Sequence, residues 1–127
     1  FCKRYLVYSV ENDPIWIGKY HSNYIYAPLK EHKPIRRFDR SNWWYDPEIL
    51  KAQLPPKYDF FLIDGPVTPH RGGIVKYWPL FNWDCVVAID DIHRPIERKI
   101  AHSLSARIKR PYTIHNSWSK PFGIFNK

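Results

Sequence analysis

The sequence contains no methionine and only two cysteines, Cys2 and Cys85, in 127 residues. So little sulfur excludes a disulfide-dense scaffold, and no Cys or His spacing suits a structural zinc site. The two cysteines lie far apart and read as small buried hydrophobes, which points to a reducing, cytoplasmic compartment. No apolar run approaches the roughly 20 residues of a membrane-spanning helix. The longest, such as Cys85 to Ile89, are strand-sized. The first residues, Phe1 to Val10, have neither the length nor the cleavage site of a signal peptide. Five glycines are present, and they form neither a Walker-type phosphate loop nor a GxSxG nucleophile elbow.

Acids are also scarce, with 12 Asp and Glu against 20 Lys and Arg, a net charge of +8. The shortage is uneven. From Ile92 to Lys127 there are eight basic residues and one acid, Glu97, and a second basic stretch runs from Lys30 to Arg40. Such faces attract nucleic acid, an anionic membrane or a phosphorylated substrate, or serve as a solvated helix surface. What the chain has in plenty is apolar material, 44% hydrophobic and 17% aromatic. That excludes intrinsic disorder and suits one packed domain over residues 1–127.

Strands and helices alternate along the chain. Tyr5 to Val10 reads as a strand that ends at Glu11. Asp13 and Pro14 then start a short helix carrying Ile15, Trp16 and Ile17, and Asn23 to Leu29 reads as a second strand. An irregular stretch follows, with Trp43, Trp44 and Tyr45 as core or as an acceptor-pocket lining. A helix is expected from Pro47 to Leu54. Tyr58 to Ile63 reads as a strand covered on both faces, ending at Asp64. An apolar helix is expected over Ile74 to Phe81, then a strand to Ile89 ending at Asp90 and Asp91. Ile96, Ile100, Leu104 and Ile108 mark the clearest helix, which Pro95 opens and Pro111 stops. Tyr112 to Trp118 and Phe122 to Phe125 form a C-terminal antiparallel hairpin. The pattern predicts an α/β three-layer sandwich with a mainly parallel sheet.

In such sheets ligands sit beyond the carboxyl ends of the strands. Glu11, Asp64, Asp90 and Asp91 all fall there. Glu11 suits a ribose diol, or is a plain strand-end acid. Asp64, Asp90 and Asp91 together suit a hard divalent cation such as Mg²⁺, or serve as caps and orienting groups. His93 is a candidate general base and His70 a weaker one. Arg71 and Arg94 suit an anionic substrate group, or surface ion pairs.

These segments resemble class I S-adenosylmethionine-dependent methyltransferases. Ser9-Val-Glu-Asn-Asp-Pro14 is similar to their second strand, Tyr58 to Pro66 to the fourth, Val86 to Pro95 to the fifth, and Tyr112 to Phe125 to the terminal hairpin. The resemblance implies that Glu11 binds the cofactor ribose and that Ala27 and Pro28 lie near its adenine. It also implies that Asp64 and His93 act on the acceptor, and that Asp64, Asp90 and Asp91 are Mg²⁺ ligands. The family's first strand and glycine-rich loop have no counterpart, so the fold is expected to be incomplete at its N-terminus. Upstream residues, direct closure of the flanking strands or another copy of the chain would then complete the sheet.

The leading expectation is methyl transfer from S-adenosylmethionine to a small-molecule or glycan-like acceptor. A non-catalytic domain contacting RNA or another polyanion through its basic C-terminal face is the alternative, and a metal-dependent hydrolase is the third.

Overall fold

Proline and aspartate set the helix starts. The computed structural model describes residues 4–33, 41–116 and 120–127, and includes three α-helices, α1 (Pro47–Gln53), α2 (Gly73–Lys76) and α3 (Pro95–Ile108). Pro47 opens α1 behind Asp46, whose side chain accepts from the Glu48 amide at 3.0 Å. Asp13 does the same for Ile15 at 3.0 Å, capping a single 3-10 turn, Pro14–Trp16. In each case the ring holds φ in the helical range at a position whose N–H lacks an intrahelical partner anyway. The helix expected over Ile74 to Phe81 is interrupted. α2 stops at Lys76 and a 3-10 turn, Trp78–Leu80, follows. Pro79 has no N–H to give and crowds the preceding turn, which breaks the ladder.

Eight strands are described: β1 (Tyr8–Glu11), β2 (Asn23–Tyr26), β3 (Leu29–Glu31), β4 (Trp43–Tyr45), β5 (Phe60–Ile63), β6 (Val86–Ile89), β7 (Thr113–His115) and β8 (Phe122–Phe125). They form three sheets: β1 with β2, β3 with β4, and a four-stranded sheet in the order β5-β6-β8-β7. The β1–β2 and β5–β6 pairings are parallel, and the other three are antiparallel. The single, mainly parallel sheet expected from the sequence is therefore not what the described residues form. The molecule is a mixed α/β domain of several small sheets, with the C-terminal hairpin in place. No hydrogen-bonded ladder joins β1 to β5, so these strands do not close directly on one another.

The core gathers Ile25, Trp44, Leu50, Ile63, Val87, Ile89, Ile100, Leu104 and Phe125. α3 contributes Ile100, Ala101 and Leu104 from one stripe, the three-and-four spacing of a core-facing helix. Its C-terminus is held by Arg110, whose guanidinium donates to the carbonyls of Trp83, Cys85 and Asn126 at 2.6, 2.9 and 3.1 Å. On β5 the expected double-sided cover is absent among the described residues. Ile63 is buried, but Phe60 and Leu62 are 43% and 53% exposed.

Trp44 and Tyr45 are core residues while Trp43 is exposed, so this trio divides between core and surface. Cys85 is a free, buried thiol, as a small hydrophobe would be. Cys2, the last part of the basic stretch (residues 34–40) and residues 117–119 of the expected hairpin lie outside the described residues. No described helix is long and apolar enough to cross a membrane.

Candidate functional site

Three strand ends bring carboxylates to one edge. β5 runs into Asp64 and its parallel neighbour β6 into Asp90 and Asp91. Parallel pairing puts both C-termini at the same level, and one oxygen from each of the three side chains lies within 4.8 Å of the others. Asp90 accepts from the Asp91 amide at 2.8 Å. This turn places Asp91 in the left-handed region at φ 57, a conformation Asp tolerates better than most residues. Asp91 is 4% exposed, and its Oδ1 has no hydrogen-bond partner.

Arg71 anchors the cluster from below. Its guanidinium lies 3.3 Å from Glu97, 3.5 Å from Asp64 and 3.9 Å from Asp91, and also donates to the backbone carbonyls of Pro66 and Asp64. Thr68 donates to the same Glu97 oxygen. Arg71 is 3% exposed and Glu97 is fully buried. The expected substrate clamp at Arg71 is thus corrected: every arm of the fork is taken up inside the protein, and none reaches solvent. Arg94 pairs with Asp91 at 3.0 Å, with Lys120 3.8 Å from the same carboxylate. Four carboxylates then face three cations, leaving one negative charge over.

The β1 end reaches this edge through Tyr45. Its hydroxyl donates to the Val10 carbonyl at 3.4 Å and lies against Gly65. Burial, then the charge of Glu11, push its phenol well above the ordinary tyrosine range. The sequence offers Tyr45, after two tryptophans, as core or as an acceptor-pocket lining, and nothing local marks its contact with the β1 end. Glu97 was equally hidden, as an ordinary helix acid 26 residues from the arginine it holds.

Partial burial raises the Glu11 carboxyl above the ordinary glutamate value, with Asp13 and then Asp64 adding to it. Loss of solvent on one side also raises Asp64, Asp90 adds, and Arg71 opposes. A raised carboxyl means that the folded chain holds its proton more tightly than the unfolded chain. Stability therefore falls as pH rises through the window between the ordinary and the raised value. Glu11→Gln is expected to stabilise the fold above that window by no more than about 0.5 kcal/mol. Below it the gain vanishes. Urea melts of both proteins across acid and neutral pH check the sign, and a gain that persists in acid refutes it.

The remaining expectations divide. Ala27 is fully buried and its amide donates to the Glu11 carbonyl at 2.8 Å, so it offers no surface to an adenine. Pro28 is half-buried, and its carbonyl accepts from the Asp46 amide. His93 is exposed and makes no hydrogen bond or ion pair with the carboxylates. It lines a separate cleft beside α3. His70 is hydrogen-bonded to Ser41. No protein-family model, curated protein or solved structure matches the chain.

Proposed function

We propose that this domain supports methyl transfer from S-adenosylmethionine to a hydroxyl-bearing small molecule or glycan-like acceptor at the carboxylate edge. The observation that carries the reading is the convergence of Glu11, Asp64, Asp90 and Asp91 at the C-terminal ends of β1, β5 and β6. The strand order supports it. Within each sheet the neighbours are compatible with the order 3-2-1-4-5-7-6 of the family resemblance: β1 pairs with β2 in parallel, and β5, β6, β8 and β7 follow one another as the fourth, fifth, seventh and sixth strands of that family do.

Glu11 would accept the two ribose hydroxyls of the cofactor, whose sulfonium supplies the methyl group. Asp64, whose side chain is 59% exposed at the strand end, would orient the acceptor hydroxyl and take its proton. His93 has no contact that supports a shared role. Asp64, Asp90 and Asp91 would hold a divalent cation of the Mg²⁺ class, which would lower the acceptor hydroxyl's pKa. The residues fit such an ion: all the donors are hard oxygens, and the buried Asp91 Oδ1 lacks a hydrogen-bond donor. Lys120 is the resident cation that an ion would displace.

Calorimetric titration of S-adenosylhomocysteine, with and without Mg²⁺, tests the reading. Saturable binding that weakens by about tenfold or more in Glu11→Ala is expected, since two charge-assisted hydrogen bonds are lost. No binding by the folded chain, or binding indifferent to Glu11→Ala, refutes it.

A further inference from the structure

The charge on α3 is split between its two faces. Glu97, the one acid between Ile92 and Lys127, is spent inside the protein against Arg71. The outward face carries Arg98, Lys99 and His102, all exposed. Neither Arg98 nor Lys99 has an ion-pair partner among the described residues. With Ser103, His93 and the Tyr112 ring they line a cleft of about 720 Å³ between the helix and the start of β7.

A cleft of that size falls within the roughly 300–1,000 Å³ of small-molecule sites. Arg98 and His102 stand one helical turn apart, as do Lys99 and Ser103. Arg98 and Lys99 both line the cleft, so two full positive charges border it, with a hydroxyl and two imidazoles. An anion seated in the cleft meets both charges. The guanidinium fork matches phosphate oxygens in pairs, the lysine supplies a point charge, and the serine hydroxyl a further donor. Tyr112 is half-buried against Phe125, with ring centroids 5.3 Å apart. It presents a fixed aromatic surface at one side of the cleft.

We propose that this cleft is a binding site for a phosphate-bearing small molecule of nucleotide size. Arg98 and Lys99 hold the phosphates, and Tyr112 lies under the base or sugar. Tyr112 is the one Phe, Tyr or Trp ring lining the cleft among the described residues, which favours this ligand over a nucleic-acid strand, since a strand calls for a succession of stacking surfaces along a basic groove. No hydrogen bond or ion pair joins the Arg98, Lys99 or Tyr112 side chains to the carboxylates, so the site stands whether or not methyl transfer occurs there.

Uridine diphosphate is the probe, because an adenine nucleotide would also report on the carboxylate edge. Its titration is followed by calorimetry and amide NMR, beside inorganic pyrophosphate and an oligouridylate of about ten nucleotides. The expected result is saturable uridine diphosphate binding, with shifts centred on residues 98–103 and 112. Arg98→Ala with Lys99→Ala weakens it by about tenfold or more, and since both side chains are exposed the melting temperature is unchanged. Tyr112→Leu keeps an apolar contact with Phe125, weakens uridine diphosphate and leaves pyrophosphate unaffected. Absence of saturation overturns the proposal, as does indifference to the double variant. Oligouridylate binding that is tighter and grows with length also overturns it, in favour of a polyanion surface.

Discussion

Arg71→Ala melts on the order of 10–20 °C below the parent, a loss of about 3–5 kcal/mol. The size follows from what the side chain leaves behind. Glu97 is fully buried, and it would keep its charge with only the Thr68 hydroxyl beside it among the described residues. Removing one member of a buried ion group costs far more than the group contributes as a whole, because the survivors stay desolvated. The backbone carbonyls of Asp64 and Pro66 lose their donor in the same step. Arg71→Lys should recover little, since one ammonium cannot reach partners spread around a planar fork. Arg71→Met with Glu97→Met removes both charges and should restore part of the loss. Thermal and urea melts of the three variants decide the matter, and a loss below about 1 kcal/mol in Arg71→Ala would mean that water reaches Glu97 freely.

A second large effect is expected where α2 meets β4. A methyl group added at Gly73 would lie 2.5–2.7 Å from Cδ2, Cγ and Cβ of the buried Trp44. Two terms oppose each other. The backbone at Gly73 is helical, φ −58 and ψ −25, so alanine should gain about 0.4–1 kcal/mol from the unfolded chain's lost freedom. The clash involves the Trp44 Cβ as well as its ring, so a rotamer change is not enough and β4 itself must shift. Overpacking of this kind costs about 1–3 kcal/mol or more, so the clash wins. Trp44→Ala alone should cost about 3–5 kcal/mol through its cavity. With Trp44 truncated to alanine the ring contacts at 2.5 and 2.6 Å are gone but the Cβ remains 2.7 Å away, so Gly73→Ala should stay destabilising by a smaller amount. A double-mutant cycle by urea denaturation reads that reduced cost, and additive effects would show that the two residues do not interlock.

The helix starts and the strand-end acids were legible in the sequence because their signals are local. An aspartate before a proline caps a helix wherever it falls, and an apolar run closed by an acid marks a parallel strand's exit. The hairpin of β7 and β8 was legible for the same reason. The β3–β4 pair was not. Each strand is three residues long, and Leu29–Glu31 merges with the strand before it and the basic stretch after it. Its partner is set by long-range packing of Trp44 and Tyr45, which leaves no periodicity to read. Arg71 read as a substrate ligand because an arginine in a loop beside two glycines is ordinarily exposed. Its burial depends on an acid supplied by another element. Tyr45 reaches the carboxylate edge by the same kind of distant placement.

The left-handed backbone at Asp91 bears on how this edge can change over generations. Most side chains would strain at φ 57, and only glycine, asparagine and aspartate sit there at little cost. Asparagine is nearly the same shape as aspartate and lies a single base change away. The charge of the carboxylate edge can therefore be reset in one heritable step, with the turn that builds it left intact.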